Sequence, residues 1–397
     1  MEKLSRRLAT LSPSATVAMN QKTKDLQAQG IDIINLSVGE PDFNTPDHVK
    51  AAGKKAIDEN YSFYTPVPGY PELRQAIVRK FKRENNLDYK PEEIVVSNGA
   101  KHCIANTIMA LVDAGDEVIV PAPYWVSYAD LVKLADGTNV IVDTTIENDF
   151  KMTAAQLEKA ITPKTKALIL CSPSNPTGSV YSYDEMKALA EVLKKHENVF
   201  IIADEIYEHI NFVGKHVSMA SFEYLKDRVI TVNGVSKAYA MTGWRIGYMG
   251  APLWLTKACN NLQSQFTTGA SSIAQRASIA ALDSDPSVVE EMKKAFHRRR
   301  DLVVNMVKQI PGVKLSIPEG AFYIFPDISS YFGKSDGKTT IKNSNDFSLF
   351  LLSEAFIATV PGSAFGNDKC IRISYATSDE KLVKALNQFR EAVKKLK

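Results

Sequence analysis

The chain is poor in cysteine. It has four in 397 residues, Cys103, Cys171, Cys259 and Cys370, too scattered for a CxxC pair or the Cys/His spacing of a zinc or redox motif. Its six histidines contain no HExxH, which removes a common zinc-hydrolase signature. No uninterrupted apolar run approaches the roughly 18 residues that span a bilayer. The first twenty residues carry basic side chains but lack the apolar core of a secretory signal. These absences set the expectation of a soluble, cytoplasmic protein with no membrane partner. Charge of one sign is also missing: 48 Lys and Arg against 45 Asp and Glu leave +3. That balance gives no electrostatic case for binding nucleic acid or an anionic lipid surface. No GxGxxG follows an early strand, which sets aside a Rossmann dehydrogenase.

What is present is an ordinary globular composition, 45% apolar and 23% charged, in a chain long enough for two or three domains. Short runs rich in Val and Ile, bounded by turn residues, occur at 94–97, 118–120, 140–142, 168–171, 200–203 and 229–232. Helix-length segments separate several of them, such as 101–111 and 184–195. In the latter, Met186, Leu189, Ala190 and Leu193 fall at helical spacing. Continuous apolar strands alternating with helices predict an α/β fold whose mostly parallel sheet is covered on both faces. After about residue 285 the texture changes. A long helical pattern begins at Pro286 and stops at Pro311-Gly312, short strands follow near 321–325 and 371–375, and a last helix starts at an N-cap, Ser378. We read 46–284 as a large α/β domain. Residues 1–45 form an arm and part of a smaller α+β domain completed by 285–397.

The chemistry-bearing residues stand where these strands end. Lys237 follows the run 229–232 within Ser236-Lys237-Ala238-Tyr239, and Arg245 is eight positions later. Most lysines are solvated surface groups, but one that forms a Schiff base sits in an enclosed apolar site where it readily loses its proton. An arginine beside it can hold a phosphate with a planar fork. Asp204, in Ala203-Asp204-Glu205-Ile206-Tyr207, ends the run 200–203; taken alone, it reads first as a cap of the following helix, ahead of a ligand-binding group. In a parallel sheet, ligands bind outside the carboxyl ends of the strands. Ser172 to Gly178 follows the run 168–171 as a Pro/Gly turn. Asn98-Gly99-Ala100-Lys101 opens a helix whose first N–H groups suit an anion.

Together these segments resemble the fold-type I pyridoxal-phosphate enzymes, and within them the class I aminotransferases of the bacterial aspartate aminotransferase branch (subgroup Ib). The resemblance runs nearly end to end. It is carried by Pro13-Ser14-Ala15-Thr16, Gly39-Glu40-Pro41-Asp42-Phe43, Tyr64 through Pro71-Glu72-Leu73-Arg74, and Pro123-Tyr124-Trp125-Val126-Ser127-Tyr128. It continues through Asn175-Pro176-Thr177-Gly178, Asp204 to His209, Ser236-Lys237, Met241 to Arg245, and Arg372-Ile373-Ser374-Tyr375. It implies a seven-stranded sheet in the large domain and pyridoxal 5'-phosphate as cofactor. The reaction it implies moves the amino group of L-aspartate to 2-oxoglutarate, giving oxaloacetate and L-glutamate.

The same resemblance implies residue roles. Lys237 would hold the cofactor aldehyde covalently and later carry the proton that leaves Cα. Asp204 would pair with the pyridine nitrogen, Asn175 and Tyr207 with the ring oxygen, and Trp125 would stack on the ring. The amides of Ala100 and Lys101 would meet the phosphate, with Ser236, Arg245 and Tyr64 around it. Tyr64 would come from a second subunit, making the active unit a homodimer. Arg372 would clamp the substrate α-carboxylate, aided by the main chain of Gly39. Lys101, with Ser14 and Thr16 on the N-terminal arm, would meet the distal carboxylate. Two departures stand out. Relatives that also act on prephenate tend to carry lysine where this chain has Ser12, and some carry serine where it has Gly234. The alternatives on the same scaffold are a broader aromatic, alanine or prephenate aminotransferase, or a C–S lyase. A ligand-sensing regulator built on such a domain would carry an appended DNA-binding module, and none is expected here.

Overall fold

The computed structural model describes residues 5–11 and 15–397. Its centre is a seven-stranded sheet built from β1 (Ile94–Ser97), β2 (Glu117–Ala122), β3 (Thr138–Asp143), β4 (Thr165–Cys171), β5 (Phe200–Asp204), β6 (Val229–Gly234) and β7 (Gly247–Gly250). The spatial order is β1-β7-β6-β5-β4-β2-β3. β7 runs antiparallel to both its neighbours, and the other pairings are parallel. Side chains alternate across a strand, and here both faces are apolar. Ile94, Val96, Leu168, Leu170, Ile201 and Val229 enter one core, while Val95, Val118, Val120, Ile169, Ile202 and Val232 enter another on the opposite face. This two-sided burial is why the strands read as unbroken apolar runs.

Six of the seven strands were legible. The seventh, β7, has the sequence Gly-Tyr-Met-Gly, which reads as a turn. Its glycines are steric necessities: a Cβ on Gly247 would lie 2.1 Å from the amide nitrogen of Ala100, and one on Gly250 would lie 2.7 Å from the Tyr89 ring. The helices that position the site are α1 (Pro71–Lys80), α2 (Ala100–Leu111), α3 (Ser127–Leu134) and α4 (Tyr183–Lys194). α4 begins at a Ser182–Glu185 capping box.

A second core gathers residues from 292 to 396 with Ile34, Leu36, Ile206, Tyr207 and Ile210. It holds α5 (Ser287–Val307), the antiparallel strands β8 (Tyr323–Ile324), β9 (Val360–Pro361) and β10 (Ile371–Ser374), and α6 (Asp379–Val393). Ser378 caps α6, as the sequence predicts, by accepting from the N–H of Lys381. α5 joins the two cores, with Val289 in the first and Met292 onward in the second. Among the described residues, no helix is long and apolar enough to cross a membrane.

Candidate active site

The strand ends converge on one cavity of about 340 Å³ between the two cores. Asp204 ends β5, Asn175 follows β4, and Ser236 and Lys237 follow β6. Trp125 follows β2, and Ala100 and Lys101 open α2 after β1. All of them line the cavity, together with Gly39, Tyr207, Arg245 and Arg372. Eleven widely separated positions that the sequence singled out therefore share one wall. Tyr64 does not; it is 96% exposed on the surface of the chain. Ser14 and the side chain of Thr16 lie outside the described residues.

Lys237 is the central group. Its Nζ donates to the carbonyl of Gly39 at 2.6 Å and lies 5.7 Å from the ring centres of Tyr207 and Phe322. Burial, reinforced by the nearby Arg372 and Arg245 cations, lowers its pKa to about 8. A lowered pKa yields free amine near neutrality, which a nucleophilic lysine needs. Asp204, 4% exposed, accepts from the Tyr128 hydroxyl at 2.5 Å and from the Ile206 N–H at 3.3 Å. Burial, with the adjacent Glu205, pushes its pKa up to about 6 despite those two donors. A buried carboxylate with no cation in direct contact is costly, and this one faces the cavity.

Arg372 is 2% exposed at the far wall. It donates to Asn175 Oδ1 at 3.0 Å and to the Ser37 carbonyl at 2.6 Å, and its Nε is buried without a partner. The Tyr323 ring lies 4.6 Å beneath its guanidinium. With Oδ1 of Asn175 engaged, the donor end of that amide is free for another acceptor. The Tyr207 and Tyr323 hydroxyls share a hydrogen bond of 2.8 Å.

At the opposite end, α2 presents its first N–H groups, which have no intrahelical acceptor. Gly99, at φ +85°, makes the turn into it. Arg245, also in the left-handed region at φ +58°, donates to the carbonyls of Thr242 and Asn98 beside that turn. A Cβ on Gly99 would fall 2.5 Å from the Arg245 guanidinium. Lys101 holds its ammonium 4.9 Å from the Trp125 ring, with its pKa lowered by burial and by Arg245.

This donor set fits pyridoxal phosphate. An anion cradle lies at one end, an amine stands at the centre, and a carboxylate awaits a protonated ring nitrogen. The unpartnered Arg372 Nε is suited to a carboxylate. Among the lining residues that sequence reasoning did not assign to the site are Tyr128 and Tyr323. Tyr128 stood inside a quoted motif, three residues after Trp125. Tyr323 sat in a segment read as a short strand, and neither carried a signal of its own.

Known proteins resemble the chain along nearly its whole length. The family model described as aminotransferase class I and II matches residues 31–389. The probable aspartate/prephenate aminotransferase of Rhizobium leguminosarum bv. phaseoli is 50% identical over 387 residues, 96% of each chain. The crystal structure of aspartate aminotransferase from Rhizobium meliloti superposes with a TM-score of 0.96 at 44% identity, covering 99% of both chains. That of Thermus thermophilus aspartate aminotransferase with maleate gives 0.93 at 42% identity, covering 98% of this chain and 99% of that one.

Proposed function

The chain belongs to the class I and II aminotransferases, and from that premise we propose that its reaction is aspartate transamination. The amino group of L-aspartate passes to 2-oxoglutarate, and oxaloacetate and L-glutamate result. The observation that carries this reading is the placing of a half-buried amine, Lys237, between a buried carboxylate and a buried guanidinium in one cavity. When bound, pyridoxal phosphate supplies an aldehyde for that amine and a ring that takes up the electron pair left at Cα.

The chain's own residues would do the rest. Lys237 Nζ, neutral in part near pH 7, would accept the Cα proton and deliver it to the carbon that had been the cofactor's aldehyde. Ionised Asp204 keeps the ring nitrogen protonated, and Tyr128 donates to Asp204 so that it stays ionised. Asn175 Nδ2 and the Tyr207 hydroxyl would hydrogen-bond the ring oxygen, and Trp125 would stack on the ring. The amides of Ala100 and Lys101, with Ser236 and Arg245, hold the phosphate. Arg372 holds the substrate α-carboxylate through a fork that Asn175 and Ser37 already orient, and the Gly39 main chain assists. Lys101, with Ser14 and Thr16, takes the distal carboxylate. Maleate, the ligand of the Thermus neighbour, is a dicarboxylate of aspartate's length, which supports that choice of substrate.

We further propose a homodimer in which Tyr64 reaches the phosphate of the other subunit's site. Phe63 and Tyr64 are 82% and 96% exposed, and Phe266, at the end of the helix Leu253–Phe266, is 61% exposed; these are apolar side chains that a second copy would cover. The domain division at about 46 and 285 is part of the same proposal.

The test is direct. Purified protein with aspartate should convert its bound cofactor from the aldehyde to the amine form, seen as a change of absorbance band. Borohydride should fix the cofactor on the peptide containing Lys237. Cleavage of cystathionine without turnover of aspartate would refute the reading. The Rhizobium relative's name favours prephenate as a second acceptor. Ser12 stands against it, and adding prephenate to the acceptor panel decides between them.

A further inference from the structure

A buried polar cluster lies outside the chemistry just described. Lys80, Asn85, Glu208 and Asn233 are all buried, and none lines the cavity. Glu208 accepts from the side-chain amide of Asn233 at 2.7 Å and from that of Asn85 at 2.6 Å, and it pairs with the Lys80 ammonium. Lys80 also donates to Asn85 Oδ1 at 2.8 Å. Burial alone would raise the pKa of Glu208. Lys80, His209 and His216 outweigh it and hold the carboxyl well below the usual range.

The chain positions of Glu208 and Asn233 give this cluster its significance. β5 and β6 pair as far as Asp204 and Val232, and the last backbone bond runs from the Glu205 N–H to the Val232 carbonyl at 2.9 Å. Past that rung β5 parts from β6: the β5 segment leaves the sheet carrying Tyr207, while β6 stays paired with β7 through Gly234 before the turn that carries Ser236 and Lys237. Glu208 follows Tyr207 directly. Asn233 precedes Lys237 by four residues, and its Oδ1 accepts from the Gly234 N–H at 2.7 Å, fixing the start of that turn. The Glu208–Asn233 hydrogen bond therefore ties the two segments together beyond the end of the ladder.

We propose that Glu208 is a positioning residue for the pair formed by Lys237 and Asp204. Through Asn233 it sets the stand-off between the amine and the carboxylate, so that both can meet one rigid aromatic aldehyde. The proposal rests on the cofactor reading above.

Asn233→Leu tests it, because it removes the bridging amide and leaves Lys80 and Glu208 paired, so no buried charge is stranded. Ser218→Ala is the control. It deletes a buried 2.7 Å bond to Glu205 that does not reach the Lys237 segment. The readouts are the dissociation constant of pyridoxal phosphate from cofactor-free protein, and the midpoint pH of the visible-absorbance change of loaded protein. Asn233→Leu should weaken cofactor binding about tenfold or more and move the midpoint by about half a unit. Ser218→Ala should do neither, although both variants lower Tm. An unmoved midpoint and affinity in Asn233→Leu, or equal changes in both variants, would overturn the proposal. Should Asn233→Leu not fold, Asn233→Ser, whose hydroxyl is too short to reach the carboxylate, is judged by the same criteria. Wild-type protein that borohydride cannot fix at Lys237 would sink the cofactor reading itself, and this is measured first.

Discussion

Replacing Asp204 by asparagine should stabilise the cofactor-free protein while spoiling its hold on the cofactor. The carboxyl has a pKa of about 6 in the folded chain against 3.8 in a model peptide, raised first by burial. A gap of about 2 units corresponds to roughly 3 kcal/mol at neutral pH, the cost of keeping a charge where it is poorly solvated. The folded state binds this proton more tightly than the unfolded state. The carboxyl's contribution to stability is therefore fully present below pH 3.8 and is lost as pH rises through 6. Asparagine carries no charge to desolvate and recovers the whole amount. It also turns one acceptor into an amide, so either the Tyr128 hydroxyl or the Ile206 N–H loses its partner, costing about 1 kcal/mol. The net gain for Asp204→Asn is about 2 kcal/mol at pH 7.5. Near pH 5 the same reasoning leaves less than about 1 kcal/mol. Urea titration of both cofactor-free proteins at the two pH values measures it. A variant no more stable than wild type at pH 7.5, or a gain that does not shrink on acidification, would refute the reasoning. The loaded variant should bind cofactor more weakly, because the protonated ring nitrogen has lost its ionic partner.

Three further outcomes follow from the same geometry. With a Lys237 pKa of about 8, the rate of cofactor capture by apo protein should rise about tenfold per pH unit and then level above pH 8. A stopped-flow rate still climbing past about pH 9.5 would mean that the amine is not shifted. Arg372→Lys keeps the charge but replaces the fork that serves Asn175, Ser37 and a carboxylate together. It should cost about 2–3 kcal/mol, roughly 30- to 150-fold, in kcat/KM for aspartate, and a loss under about threefold would contradict the role. Gly99→Ala places a methyl against Arg245 at a backbone φ of +85°. It should lower stability by about 1–3 kcal/mol and weaken phosphate-bearing ligands more than their dephosphorylated analogues; equal weakening of both would argue against an anion cradle.

Most of the residues that the sequence singled out line one cavity, whereas the buried groups behind them were not legible, for a physical reason. Asp204 ends a buried strand and Asn175, Lys237 and Ala100 each stand just past one, and an unbroken apolar run followed by polar and glycine residues is a local pattern. The α/β class follows from the same pattern, since strands apolar on both faces need helices on both sides. β7 escaped because its two glycines answer to contacts with Ala100 and Tyr89, which no local window contains. Glu208 escaped for a related reason. Its ammonium partner lies 128 residues away in sequence, and a lysine that ends fully buried is written with the same letter as one that stays in water. Burial of charge is settled by tertiary pairing, so sequence reveals it only where the charge also meets a ligand in a recognisable motif. Lys237 and Arg372 stand in such motifs and line the cavity. Lys80 and Glu208 do not, although removing either partner of that pair would strand the other in the core at about 3–5 kcal/mol.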